Sequence, residues 1–302
     1  MVCNAPARSR YATAVDGLTA TAARSKLRAA SQLGLALGTA AGTVVLQFDG
    51  PGWYRAAIAV NAVSSIGVGA AMLLVLPDLR GRPAAQRAGV TGLPRDVVRG
   101  LVPPRTVLAN RRFMALAVVI AVAAGLLMAF STGLALALEA SPILSKAAYP
   151  VLALILIAAT TVAHELTAKV DVAGRAPAIG AVGAAVIAVA LAAAGAGCYA
   201  VGGAITATAL VVLALLASAG GQALLLAAYW ELSYPLRPAR LQGAYEACDV
   251  ALRGALLMVI LPGVTAAAVA GTAGWMALAA AMAALTPCLW GLLRWAAAGS
   301  RA

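Results

Sequence analysis

The chain has 302 residues, of which 63% are apolar and only 11% charged, with a mean hydropathy of +0.94. A soluble domain carries roughly 25% charged residues, so an ordinary soluble globule is excluded. The formal charge of +12 would suggest nucleic acid in a soluble protein, but here the charges lie between long apolar runs and fit loops facing anionic lipid. The expected class is therefore all-α, a polytopic membrane helix bundle whose partner is the lipid bilayer, with no nucleic acid.

Residues 1–26 mix polar and charged groups, including Arg8, Arg10, Asp16, Arg24 and Lys26, and lack the apolar core of a cleaved signal peptide. The chain is expected to begin in the cytoplasm. A bilayer core about 30 Å thick needs roughly 20 apolar helical residues to cross it, and eight runs qualify: 27–48, 53–77, 113–138, 147–168, 175–200, 204–232, 249–271 and 274–296. Helices follow because each segment must satisfy its own backbone, and the short alternating strands of a barrel are absent.

The first two spans and the segment before them, residues 1–77, form one unit. A break at 78–112, entered through Leu76-Pro77-Asp78 and carrying Arg80, Arg82, Arg87, Arg95, Arg99, Arg105, Arg111 and Arg112, reads as a cytoplasmic linker. Residues 113–302 form a six-helix bundle. Threading the spans alternately leaves only Arg55 and Lys146, of 22 Lys and Arg, on the outer side. Excess Lys and Arg mark the cytoplasmic face, so both termini are expected there. Trp53, Tyr54, Tyr149, Tyr199 and Trp275 fall at outer ends, and Tyr229, Trp230, Tyr234 and Trp295 at inner ends, the headgroup depth that amphipathic rings prefer.

Within the spans, Asn61, Ser131, Thr132, Thr160, Thr161, Gln222 and Tyr229 are the polar groups most able to line a cavity for a largely apolar ligand. Ser and Thr in membrane helices often bond back to their own backbone instead, which makes the long amide of Gln222 the strongest candidate. His164 and Glu165 are adjacent ionisable residues close to the inner end of their span. They fit either a proton or substrate contact at the inner mouth or an interfacial polar cap. Pro262 removes a backbone donor and would bend its helix. Cys3, Cys198, Cys248 and Cys288 show no paired spacing, so neither a disulfide framework, a metal site nor a cofactor is indicated. No phosphate-cradling loop and no nucleophile–base set stands out, which argues against an ATP-driven pump and against an enzyme.

Four stretches carry a family signal. Arg24-Ser25-Lys26-Leu27-Arg28 precedes a helix with Gly34, Gly38 and Gly42, and Gly52-Trp53-Tyr54-Arg55 opens the next, through Val60-Asn61-Ala62. Trp230-Glu231-Leu232-Ser233-Tyr234 is followed by Arg240-Leu241-Gln242-Gly243-Ala244-Tyr245, and Gly274-Trp275 repeats the Gly-Trp opening of a returning helix. Together these resemble helices five to twelve of major facilitator superfamily transporters of the bacterial drug-efflux type. The family's first four helices have no counterpart in this sequence, and a missed upstream start, a gene fragment or a decayed copy would each produce that pattern.

The resemblance implies a partial major facilitator fold in the bacterial plasma membrane. It also implies secondary active efflux of a small amphipathic compound by two helical halves rocking about a midplane site, with a proton as coupling ion where the family's coupling applies. No span holds a mid-membrane Asp, Glu or Lys, so the main protonation site is expected in the missing helices and no transport from the chain alone. The alternative is a non-transporting membrane remnant or an assembly partner of another transporter chain. Gly34, Gly38 and Gly42 share one helix face and suit close packing; they resemble the fifth-helix glycine motif of proton-coupled antiporters, with Thr39 where the family has Pro. Asp171-Val172-Ala173-Gly174-Arg175 resembles the superfamily's cytoplasmic Asp-Arg-x-Gly-Arg turn, with Val172 in place of the first Arg. That likeness implies a charge latch, with Glu231, Arg240, Glu246, Asp249 and Arg253 as available partners, whereas a solvated loop would carry similar residues.

Overall fold

The computed structural model describes residues 50–75, 105–144, 148–172, 174–200, 202–238 and 241–299, together with Gly34 and Gly38. Most of the expected span 27–48, the 78–104 part of the linker, and Gly42, Lys146 and Arg240 lie outside them. All regular elements among the described residues are helical. They are α1 (Pro51–Val75), a short α2 (Arg105–Ala109), α3 (Arg111–Met128), which runs through a π-helical turn (Ala129–Gly133) into α4 (Leu134–Ala140), then α5 (Tyr149–Thr167), α6 (Ala176–Tyr199), α7 (Ala204–Ser233), α8 (Gln242–Val269) and α9 (Thr272–Gly299).

Local sequence sets several of these ends. Pro150 and Pro177 sit in the first turns of α5 and α6, where a missing N–H breaks no helical bond. Asn110 caps α3 by accepting the backbone N–H of Phe113 at 3.1 Å. Gly271, at φ +79°, makes the left-handed turn after α8 that a residue with a Cβ adopts only under strain.

Among the described residues, six helices are long and apolar enough to cross a membrane: Arg111–Ala140, Tyr149–Thr167, Ala176–Tyr199, Ala204–Ser233, Gly243–Val269 and Thr272–Ala298. The chain is thus a multi-pass helical membrane protein, and these six coincide with the last six expected spans. α1 coincides with the second expected span, and its Ile58, Val60, Val63 and Ile66 are exposed. The largest boundary difference is in α8, which begins at Gln242 rather than near 249. The expected span begins at Asp249 and leaves Glu246 in the loop before it, whereas in the fold both are buried and paired, so the helix continues through them.

The six spans pair in a regular way. α6 packs on α7 and α9, α7 also meets α5, and α3 packs on α8 and α9. Exchanging α3 with α7, α5 with α8 and α6 with α9 maps these five pairings onto one another, although the weaker contact of α8 with α9 has no equal between α5 and α6. Without a hydrophobic drive inside lipid, helices associate through close packing of small residues. A close backbone approach of this kind lies at Gly183 and Gly221, where α6 crosses α7. A Cβ on Gly183 would lie 2.6 Å from the Gly221 carbonyl oxygen, and one on Gly221 would lie 2.7 Å from that of Gly183.

The expected outer end is tied by side chains donating to backbone carbonyls. α8 stops at Val269, so the Ala268 carbonyl lacks a helical partner. It accepts the Tyr199 hydroxyl and the Trp275 indole N–H, both at 3.0 Å. Trp275, expected at headgroup depth, is completely buried because this bond and the edge of Phe130, 6.0 Å between ring centres, hold it in the core. The Tyr149 hydroxyl donates to the Ser131 carbonyl inside the π turn at 2.7 Å.

Candidate functional site

At the opposite end, the elbow between α7 and α8 encloses a cluster of charged side chains. Local chemistry builds the elbow. α7 ends at Ser233, and Tyr234-Pro235-Leu236-Arg237 forms a turn closed by the Arg237 N–H donating to the Tyr234 carbonyl at 3.1 Å. Pro235 stands at the second position of that turn, where its fixed φ is favoured. A second turn follows, with the Leu241 N–H donating to the Pro238 carbonyl at 2.9 Å. Arg237 lies between two prolines and is buried, at 5% exposure.

α8 supplies the acids. Glu246, Asp249 and Arg253 are spaced three and four apart, which places them on one helix face. Arg237 Nη1 pairs with Glu246 Oε1, and Arg237 Nη2 donates to Ser233 Oγ at 3.0 Å and to Tyr229 Oη at 3.4 Å. The Tyr229 hydroxyl donates in turn to Asp249 Oδ1 at 2.8 Å. Arg253 grips the same carboxylate with both ends of its fork, Nε to Oδ1 at 3.2 Å and Nη2 to Oδ2 at 2.7 Å. Tyr229 thus joins two ion pairs.

Aromatic faces complete the enclosure. The Arg237 guanidinium lies 5.2 Å above the Phe113 ring, and that of Arg253 lies 5.2 Å from Tyr229. Phe113 meets Tyr245 edge-on at 4.7 Å. Asn110 Nδ2 donates to the Leu236 carbonyl at 2.9 Å and to the Tyr245 hydroxyl at 3.1 Å, fastening the start of α3 to the elbow. Two cations face two anions, so the cluster is formally neutral. A charge removed from water is tolerated only when paired and hydrogen-bonded, and Glu246, Asp249 and Arg237 are all at most 6% exposed. The arrangement clamps α3, α7 and α8 together.

Four of the residues selected from the sequence, Tyr229, Glu246, Asp249 and Arg253, meet in this cluster. His164 lies at the same end, 2% exposed and stacked on Trp230 with ring centres 6.1 Å apart. Glu165 is exposed, and Glu231 is half-buried outside the cluster. Thr160 and Thr161 donate to the Leu156 and Ile157 carbonyls at 2.7 and 2.9 Å, the back-bonding alternative to lining a cavity. Gln222 is half-buried on α7, and Asn61 is exposed on α1. Asp171 and Arg175 are exposed in the α5–α6 turn, where Gly174 has φ +74°. Gly34 and Gly38 are helical and exposed, and no described atom lies within 4 Å of a Cβ built on either.

No family model, curated protein or solved structure matches this chain. The site therefore rests on its own geometry.

Arg237 and Asn110 were not singled out from the sequence, Ser233 and Tyr245 only within stretches that carry the resemblance, and Glu246, Asp249 and Arg253 only as general partners. The Glu246–Asp249–Arg253 periodicity was a usable signal, as was an Arg set between two prolines beside an apolar helix. The Asn110 contact, spanning 126 residues to Leu236, leaves no local trace.

Proposed function

We propose that this chain forms part of a secondary active transporter of the major facilitator type, moving a small amphipathic compound out of the cell, with the α7–α8 cluster as a latch on its inner side. The observation that carries the proposal is the pairing pattern of the six spans. Three consecutive helices and the next three share equivalent strongest neighbours, and units with an odd number of spans enter the membrane in opposite directions, as the inverted repeats of transporters do. The latch fits alternating access, because protonating either buried acid would weaken its hold on an arginine and free α8 to move. Gln222 and Tyr229 on α7 are the candidate substrate contacts, and His164 a candidate proton or substrate contact at the inner mouth.

The test uses the full chain purified in mild detergent from its native membrane, with any co-purifying helices, and rebuilt into liposomes. A proton gradient should drive uptake of a fluorescent amphipathic cation into inside-out vesicles, and Glu246→Gln should alter the rate. Failure of any gradient-linked movement in that preparation overturns transport.

A second reading, an assembly partner without transport of its own, is favoured by α8. Along its membrane-crossing length, Ala251, Gly254, Ala255, Met258, Val259, Pro262 and Gly263 all face outward, a surface suited to another helix. Recovery of a stoichiometric helical partner together with no gradient-linked movement would select that reading.

A further inference from the structure

We infer that the seam between α3 and α9, at the same end as the charged elbow, holds the phosphate of an anionic phospholipid headgroup. Trp290, Gly291, Arg294, Trp295 and Ala298 are exposed on α9, and their spacing puts them on one face. Gly291 leaves the middle of that face open, with no described atom within 4 Å of where its Cβ would stand. Two cations border the opening. The Arg294 guanidinium lies 4.9 Å from the Trp290 ring centre, and Arg112, from the first turn of α3, lies 5.3 Å from that of Trp295.

Charge selects the occupant. The ion pairs given for the described residues are Arg237–Glu246 and Arg253–Asp249, so neither Arg112 nor Arg294 has a carboxylate within pairing distance among the described residues. Arg111, beside Arg112, is also exposed. The guanidinium groups are held over indole faces, which attract cations without neutralising them, and indoles prefer headgroup depth. A phosphate presented there meets a fork of donors suited to it. A zwitterionic lipid brings its own cation to the same place, whereas an anionic one does not, so the seam favours the anionic headgroup.

The test places the full chain in vesicles made of equal parts phosphatidylcholine and phosphatidylglycerol, with bromine on the acyl chains of one lipid or the other. Tryptophan quenching is read in the native chain and in W290F/W295F, and the difference isolates the seam. Each arginine near an anionic surface contributes on the order of a fivefold bias, so the seam indoles should report phosphatidylglycerol over phosphatidylcholine by at least that factor. R112Q/R294Q should bring the ratio close to unity, and R112K/R294K should keep most of it. Equal quenching by the two lipids in the native chain overturns the site, since an ordinary lipid belt would give that result. So does a preference that survives in R112Q/R294Q.

Discussion

Replacing Glu246 by Gln should destabilise the six-helix bundle by about 2–4 kcal/mol. Removing one partner of a buried ion pair costs about 3–5 kcal/mol, because the remaining charge has left water without compensation. Arg237, with a side chain only 1% exposed, keeps its bonds to Ser233 and Tyr229 and its place over Phe113; each such contact returns about 1 kcal/mol or less. Asp249→Asn should cost less, about 1–2 kcal/mol, although it also cuts an ion pair. Arg253 is 26% exposed along its side chain and can turn toward water or headgroups, and the Asn carbonyl still accepts the Tyr229 hydroxyl. Both variants are to be unfolded by SDS in mixed micelles and followed by circular dichroism. Alkylation of Cys248, 7% exposed within the elbow, gives a second readout and should accelerate more in the Glu246 variant. An Asp249→Asn cost equal to or above that of Glu246→Gln would refute the ranking by burial. A Glu246→Gln cost below about 1 kcal/mol would refute the desolvation argument itself.

The double substitution Arg237→Met with Glu246→Leu should cost less than the sum of the two single changes by at least about 1 kcal/mol, since it leaves no lone charge behind; strict additivity in the same unfolding assay would contradict the pair. Gly221→Val should destabilise by about 1–3 kcal/mol, because its side chain meets the Gly183 carbonyl, whereas Gly254→Ala, with open space at the Cβ position, should lie within about 1 kcal/mol of the native chain; equal effects would refute the close crossing of α6 and α7. Trp275→Phe should lose about 1 kcal/mol from one bond to the Ala268 carbonyl while Tyr199 retains the other, as thermal unfolding in detergent can register. For orientation, a cysteine at exposed Pro142 should react with an impermeant maleimide from outside intact cells and one at exposed Asp171 only after lysis; the reverse pattern would invert the expected topology.

The apolar spans were legible because twenty-residue runs have few alternatives to a membrane helix, and the ends of α5, α6 and α7 fall within two residues of expectation. Legibility failed where tertiary pairing reversed a local signal. Glu246 looks like a loop residue before its span, yet Arg237, nine residues earlier, neutralises it within the fold. Trp275 looks like a headgroup residue, but a bare carbonyl at the end of α8 draws its N–H inward. Gly34, Gly38 and Gly42 form a regular motif, but most of their helix lies outside the described residues; the contact at Gly183 and Gly221 uses two single glycines whose match depends on how α6 crosses α7. Tyr229, Asp249 and Arg253 were found as polar residues, while their assembly required the Pro-flanked Arg237, which is remote from them in any helical repeat.

The π turn at Ala129–Gly133 has a consequence for how the first span of the bundle should respond to a residue-by-residue scan. Such a turn holds one residue more than an α turn, so everything after it is rotated by roughly 100° relative to an uninterrupted helix. A cysteine-reactivity wave running from Arg111 should therefore lose phase near Ser131 and resume one residue late through Leu134–Ala140. Deleting a single residue within the turn would bring the two halves into one continuous rhythm. It would also turn Leu134 and Leu138, now fully buried, away from the core they serve.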